Sequence, residues 1–222
     1  MCNIILIVHD LVKGVVVARS GKTARGRQTA ARIVTAATRL FVEHGYVNTT
    51  MAAIAEEAGV AVQTLYLAFG SKAAILAEVH DLAVVGVGEN VPVLEQGWVE
   101  HVREEDDGPL ALKLVMDNGL GISERAASVY EKIQTAAADT EVADLMARVR
   151  MQRLQTVREL AAILATKPGF APESVDRAAD ILYTLVSVEV YHLYVVERQW
   201  TTHEWKAWAY EDAARCLFPK AG

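Results

Sequence analysis

Residues 49–72, TTMAAIAEEAGVAVQTLYLAFGSK, contain the pattern that decides the fold. Thr50 suits the N-cap of a helix, because its hydroxyl can accept a backbone N–H of the first turn. The apolar residues that follow recur at helical spacing and define one face: Met51, Ile54, Ala55 and Ala58. Gly59 comes next, and a glycine readily adopts the left-handed conformation that ends a helix and turns the chain. The stretch therefore begins with a short helix and a tight turn.

A second helix is predicted over about Val62–Phe69. Leu65 and Phe69 point inward from it, four residues apart, which leaves Gln63, Thr64 and Tyr66 to point elsewhere. Two short helices joined by a glycine turn can place the second in the major groove of DNA. The outward side chains are hydrogen-bonding types, so the pattern favours a DNA-binding helix-turn-helix over the alternative of a plain helical hairpin.

Flanking helices are predicted to complete a three-helix head. The one before the motif spans about Thr29–His44, ends at Gly45, and has an apolar face made by Ile33, Ala37, Leu40 and Phe41. The one after it is capped by Ser71 and extends to about Val87. Lys72 opposes the helix dipole in its first turn, a position that a nearby phosphate would make favourable.

The charge is unevenly distributed along the chain. The net charge is −6, but residues 1–72 hold 8 Lys and Arg against 4 Asp and Glu (8 − 4 = +4), and residues 73–222 hold the other 14 against 24 (14 − 24 = −10). A basic head on an acidic body is typical of a DNA-reading domain. Arg25 and Arg27 are predicted to lie on a flexible arm that contacts phosphates; the alternative is a solvated linker.

Composition predicts an all-α protein. Apolar residues make up 52% of the 222 residues and there are only 5 prolines. Cys2 and Cys216 lack metal-like spacing and are expected to be free thiols in the cytoplasm. The apolar residues near the N-terminus are too interrupted for a membrane span and do not have the features of a signal peptide. They are expected to form a poorly packed extension, or to result from a start codon assigned too far upstream.

Residues 27–76 resemble the N-terminal domain of TetR-type (tetracycline-repressor-like) transcriptional regulators. The resemblance rests on "A..LF...G" in the first helix, "T....IA..AGV" in the second and "TLY..F.SK" across the third and fourth. It implies a homodimer that binds a palindromic operator in double-stranded DNA, and a C-terminal helical domain whose small-molecule effector lowers DNA affinity. No cofactor is implied.

The resemblance also implies roles for individual residues. Phosphate contacts would come from Thr49, Thr50, Tyr66 and Lys72. Base edges or the adjacent backbone would be faced by Val62, Gln63 and Thr64. Gln63 is the best candidate for base readout, since its amide can be bidentate to adenine. Three residues depart from the family. Members often have a polar or aromatic residue in place of Leu67, an aromatic in place of Ala68 and a serine in place of Ala61. These departures leave the operator sequence open.

The expected domains are an extension (1–26), the helix-turn-helix domain (27–72) and a ligand-binding and dimerisation domain (73–222). In the last, helices are predicted from Pro109 to about Leu120, Glu124–Ala138, Thr140–Ala165, Val175–Glu197 and His203–Leu217, with a loop over 90–108. The last two helices are more apolar than one buried face requires, so they form either a central core or, as the resemblance implies, a four-helix dimer interface. The predicted interface residues are Leu182, Leu185, Val186, Trp205, Trp208, Ala209 and Ala213.

A ligand pocket is expected among the body helices, although the pattern favours ordinary core over a ligand contact for each single candidate. The candidates are Met116, Tyr130, Gln134, Leu154, Tyr183 and His192. Glu189 and His192 have the spacing of a carboxylate-bridged metal pair, but no second pair accompanies them, and no metal site is predicted. No nucleophile–base pair or phosphate loop favours an enzyme. The competing hypothesis is a helical small-molecule-binding protein or enzyme that retains a vestigial head.

Overall fold

Helices account for all the regular secondary structure in the part of the chain described by the computed structural model, which comprises residues 24–85, 91–134, 136 and 138–219. The predicted all-α class is therefore confirmed. In chain order, the α-helices are α1 (Ala24–Asn48), α2 (Met51–Ala58), α3 (Val62–Phe69), α4 (Lys72–Val85), α5 (Gly97–Glu104), α6 (Gly108–Gln134), α7 (Thr140–Leu164), α8 (Val175–Leu185), α9 (Val188–Tyr191) and α10 (Thr202–Leu217). A 3₁₀ turn (Val93–Glu95) precedes α5, and a π-helical segment (His192–Glu197) follows α9.

The chain packs into two units that do not follow the predicted boundary at residue 72. The first unit contains the described residues of Met1–Val91 together with Ser128–Ala147, and the second contains Pro92–Ala127 and Arg148–Gly222. The helix α4 belongs to the first unit because its apolar side chains are buried there. Ile75 and Leu76 are both 0% exposed. The predicted extension over residues 1–26 lies almost entirely outside the described residues.

The first unit is built on the apolar stripe of α1. Ile33 and Phe41 on this helix, Ile54 on α2 and Leu65 on α3 are each at most 1% exposed. Residues spaced by three, four, seven or eight positions share one face of a helix, so the spacing in the sequence produces this core directly. The helix α1 extends beyond its predicted end, because Gly45 (φ 78°, ψ 162°) introduces a kink after which the helix continues to Asn48.

Two predictions about α5 and α6 were wrong. The region 90–108 was expected to be a loop but contains the 3₁₀ turn and α5, and the two helices predicted between Pro109 and Ala138 are one continuous α6. The glycine at 119 is a point of close packing and not a helix end, since a Cβ there would lie 3.1 Å from Val186 Cγ1. One turn later, Ser123 Oγ donates a 2.6 Å hydrogen bond to the carbonyl of Val186.

The predicted long helix over Val175–Glu197 is interrupted. It ends at Leu185, and Ser187 then caps α9 by accepting a 3.1 Å hydrogen bond from the Val190 N–H. By length and composition alone, the whole stretch could cross a membrane, and 33% of its most apolar window is buried. The core helix of a soluble protein passes the same test, so this is weak evidence for a membrane span.

The second unit has a core of leucine, valine, alanine and tryptophan side chains. Six of the seven predicted dimer-interface residues belong to this core and are at most 9% exposed in the single chain: Leu182, Leu185, Val186, Trp205, Ala209 and Ala213. Side chains that already pack within their own chain offer no surface to a second copy. The structure therefore corrects the assignment of these six residues in favour of the core alternative, and only the half-buried Trp208 remains available.

Candidate nucleic-acid interface

The turn between α2 and α3 has the backbone geometry that the sequence predicted. Thr50 Oγ1 accepts a 3.1 Å hydrogen bond from the Ala53 N–H, which caps α2. At the other end, Gly59 is left-handed (φ 63°, ψ 43°), and its N–H bonds to the Glu56 carbonyl at 3.0 Å. The next N–H, of Val60, bonds to the Ala55 carbonyl at 3.0 Å. These bonds satisfy the carbonyls at the end of α2 and direct the chain into α3.

Two arginines of α1 hold α2 in place. The guanidinium of Arg32 donates to the carbonyls of Ala58 and Gly59, and that of Arg39 pairs with Glu57. A cation at a helix C-terminus is favoured by the helix dipole and by the unpaired carbonyls. Sequence reasoning had not assigned these roles, although the positive charges were visible in it.

The helix α3 presents an uncharged polar and apolar surface. Leu65 is completely buried and anchors the helix, whereas Val62, Tyr66 and Leu67 are 38%, 54% and 82% exposed. Gln63 is also exposed, and Thr64 is half-buried. The predicted reading residues therefore lie on a common helix with their side chains outward, which is the arrangement that base contact requires.

Thr49 occupies a different position from the one that its proposed phosphate contact needs. It is 2% exposed, and its hydroxyl lies 2.8 Å from the Gly45 carbonyl and 3.2 Å from that of Leu40. A hydroxyl has one hydrogen to donate, and here that hydrogen holds the turn after α1. This corrects the phosphate role of the Thr49 side chain. Thr50 is exposed, and its hydroxyl hydrogen can still donate while its oxygen caps α2.

Lys72 also holds this turn. Its Nζ donates to the carbonyls of Tyr46 (2.8 Å) and Thr49 (2.9 Å), and it lies 4.1 Å from the centroid of the Tyr46 ring. Burial lowers the pKa of the Lys72 ammonium, and the negative charge of Asp139 opposes that effect. An ammonium has three hydrogens, so one remains for a phosphate. The predicted phosphate contact is thus an addition to a structural role that the sequence did not reveal.

The predicted arm is helical where it is described. Arg25 and Arg27 lie in the first turn of α1, and the Arg25 carbonyl accepts a 3.0 Å hydrogen bond from Thr29 Oγ1. Arg25 is exposed and Arg27 is half-buried. The expectation of a flexible arm is therefore wrong for these two residues, although their charges remain at the N-terminus of the head.

The family comparison coincides with this head. The sequence profile described as "Bacterial regulatory proteins, tetR family" matches residues 33–79, which run from α1 into α4. Residues 33–79 therefore match the DNA-binding head of the tetR family. The match supports DNA binding by this head, and it includes every residue of the turn between α2 and α3 described above.

Solved structures extend the similarity in fold beyond the head. NalD, the secondary repressor of the MexAB-OprM multidrug efflux pump in Pseudomonas aeruginosa, has 20% sequence identity and a TM-score of 0.63, over 89% of this chain and 100% of NalD. The fatty acid degradation regulator FadR of Bacillus halodurans has 21% sequence identity and a TM-score of 0.63, over 87% of this chain and 96% of FadR. A comparison of the sequence with curated proteins gave no match.

A third structure was determined with a small molecule. It is a proposed transcriptional regulator from Saccharomonospora viridis in complex with choline. It has 20% sequence identity to this chain and a TM-score of 0.63, over 86% of this chain and 97% of the other. At these identities the similarity establishes the fold. The similarity in fold extends beyond residue 79, over 86% or more of this chain in all three structures.

The predicted ligand-binding residues are divided between the two units. Tyr130 and Gln134 belong to the first unit and form a hydrogen bond with each other. The others belong to the second unit, where Met116 is a fully buried core residue and Leu154 is 44% exposed. Exposed Leu154 is not enclosed by its own unit, so the structure does not assemble the six predicted residues into one pocket within either unit.

A polar group in the second unit was missed by sequence reasoning. Arg153 on α7 forms an ion pair with Glu189 (2.8 Å), and its guanidinium lies 4.2 Å from the ring centroid of Tyr183, one of the predicted ligand residues. Burial lowers the pKa of Arg153, but the hydrogen bond and charge of Glu189 and the contact with Tyr183 outweigh it, so the pKa is raised overall. Glu189 is thereby engaged with an arginine. A helical heptad pattern does not indicate such a pair, because its members lie 36 residues apart.

Proposed function

We propose that the protein is a homodimeric repressor that binds a palindromic operator and is released by a small-molecule effector. The observation that carries the DNA-binding part is the outward surface of α3, where Gln63 and Tyr66 are exposed on a helix anchored by the buried Leu65. A glutamine amide can pair with an adenine edge, and a tyrosine hydroxyl can donate to a phosphate. The basic balance of residues 1–72 favours the same partner.

The dimer would use the surface of the second unit that its own core leaves uncovered. Leu193 and Val196 in the π-helical segment are 49% and 42% exposed. They neighbour a cluster of aromatic rings, in which the ring centroid of Tyr194 lies 4.5 Å from that of Trp208 and 4.7 Å from that of Trp200. Exposed apolar side chains beside large aromatic rings are typical of a protein–protein contact. A two-fold dimer would present two α3 helices to two half-sites.

The effector is proposed to bind in the second unit, where Tyr183, Tyr191 and Tyr194 give the helices aromatic character suited to a flat or apolar molecule. Binding would favour a dimer in which the two α3 helices no longer match the spacing of the half-sites, so operator affinity would fall. The same coupling requires that operator DNA weaken effector binding by an equal factor.

The DNA-binding proposal is tested by fluorescence anisotropy with labelled DNA from upstream of the gene, at two salt concentrations, against a scrambled duplex. We expect specific binding that weakens with salt. The double variant Gln63→Ala with Tyr66→Phe should bind at least about 10-fold more weakly, because a bidentate base contact alone contributes about 1–3 kcal/mol. The matched control Gln155→Ala with Tyr210→Phe, in the second unit, should bind normally. Unchanged affinity in the first variant would refute the assigned contacts.

The dimer is tested separately by analytical ultracentrifugation. Replacing both Leu193 and Val196 by glutamate should produce monomers and abolish cooperative operator binding, since like charges would face each other across a two-fold contact. Leu110, which is 52% exposed on α6, provides a control for an added surface charge. A variant that remains dimeric would show that the contact lies elsewhere.

A further inference from the structure

The most exposed large apolar side chain among the described residues lies on α3. Leu67 is 82% exposed, and Leu65 on the same helix already supplies the completely buried anchor. The fold therefore does not use Leu67 for packing within the described chain. Exposed leucines are common on protein surfaces, but this one lies on the helix that the proposed function places in the major groove.

The position of Leu67 relative to Gln63 sets what it can reach. The two residues are four apart, so they share one face of α3 and are separated by about 6 Å along the helix axis. Stacked base pairs are about 3.4 Å apart. A helix whose axis follows the groove would thus present these side chains to base pairs about two steps apart.

The chemistry of the groove determines what a leucine can recognise there. A leucine side chain neither donates nor accepts a hydrogen bond, so it cannot read the polar edges of guanine, cytosine or adenine. The one apolar group that the four bases present in the major groove is the C5 methyl of thymine. Burial of that methyl against a leucine removes apolar surface of both partners from water.

We propose that Leu67 reads a thymine methyl in each half-site of the operator. It would act together with Gln63, whose amide is suited to adenine, so that this face of α3 selects A·T pairs by one polar and one apolar contact. The inference rests on the proposed DNA-binding function and names the base that this function recognises. DNA is favoured over a protein partner for this surface because exposed Gln63 and Tyr66 flank the leucine and the family match includes all of them.

The test uses a labelled operator obtained by selecting tight-binding duplexes from a random pool with the full-length protein. Each thymine is then replaced in turn by deoxyuridine, which removes only the methyl group. We expect about fourfold weaker binding at one or two thymines per half-site, the factor that corresponds to burial of one methyl-sized group. Leu67→Ala should lose about the same factor on the thymine operator and should no longer distinguish thymine from deoxyuridine at those positions.

Leu110→Ala is the matched control, because it makes the same change at an exposed leucine of the second unit and should keep the full preference for thymine. Leu67→Gln is a second variant that should shift the selected base away from thymine. Circular dichroism checks that the variants fold. The inference is overturned if the wild type binds the thymine and deoxyuridine operators equally well. It is also overturned if Leu67→Ala still binds the thymine operator more tightly, as it would if this leucine served a protein partner. Failure of the wild type to select any operator would instead refute the proposed function, and this inference with it.

Discussion

Replacing Gly59 by alanine tests the physical basis of the turn between α2 and α3. The backbone there is left-handed (φ 63°, ψ 43°), a conformation that a Cβ disfavours. The new Cβ would also lie 2.8 Å from Nη2 of Arg32, whose guanidinium bonds to the carbonyls of Ala58 and Gly59. The substitution therefore has a backbone component and an arginine component, and the two can be separated.

The expected magnitude is the sum of these components. An alanine in the left-handed region costs about 1–2 kcal/mol. Displacing Arg32 from the end of α2 adds about 0.5–1 kcal/mol, which is within the range for a partly exposed cation at the C-terminal end of a helix. We thus expect Gly59→Ala to lower the free energy of unfolding by about 1.5–3 kcal/mol, from the sum of these two ranges.

A double-mutant cycle measured by urea denaturation checks this reasoning. In an Arg32→Ala background no guanidinium is left to displace, so Gly59→Ala should cost less there, by about 0.5–1 kcal/mol. Operator affinity should fall in both backgrounds, since α3 is oriented by this turn. A loss below about 0.5 kcal/mol would refute the backbone argument, because it is less than the left-handed penalty. Strict additivity would refute the role given to Arg32.

Three further predictions concern residues that position the site or the second unit. Lys72→Met should lower the free energy of unfolding by about 1–2 kcal/mol, because it removes two hydrogen bonds to the carbonyls of Tyr46 and Thr49. Burial, followed by the charges of Asp139 and Glu141, raises the pKa of Tyr46 from 10.0 to about 12. The unfolded state therefore loses this proton first as the pH rises, and the free energy of unfolding should fall between pH 10 and about pH 12 by up to ~2–3 kcal/mol. Gly108→Ala should cost about 1–3 kcal/mol, since its Cβ would lie 2.7 Å from Phe218 Cδ1.

Each of these predictions has a control. For Lys72→Met, the control is Lys113→Met at an exposed lysine, which should hardly change the free energy of unfolding. Equal losses of stability in the two variants would show that the carbonyl contacts of Lys72 contribute little. Tyr46→Phe should remove the alkaline decline in urea-unfolding profiles, whereas Tyr66→Phe, at an exposed tyrosine, should leave it in place. A decline that survives Tyr46→Phe would assign it to other groups. Gly97→Ala, where a Cβ has nothing within 4 Å, is the comparison for Gly108→Ala.

The local features of the head followed from the sequence because they depend on near neighbours. Thr50 and Ser71 cap their helices as expected, by bonds to residues three positions away, and Gly59 is left-handed as expected. The outward position of Gln63 follows from helical periodicity once Leu65 is placed in the core. These are short-range consequences of backbone geometry, and residues 49–74 contain all of them.

Long-range packing decided the rest. Thr49 and Thr50 are adjacent and chemically identical, yet Thr49 is buried against the end of α1, and no local pattern separates the two. The same holds for Trp205, which is apolar enough for a dimer interface but is fully buried in its own chain. Amphipathicity indicates that a face must be covered without indicating by what, since a core and an interface bury the same chemistry. The sequence thus determined which side chains leave the surface or turn the chain locally, and only the tertiary structure decided which partner each one meets.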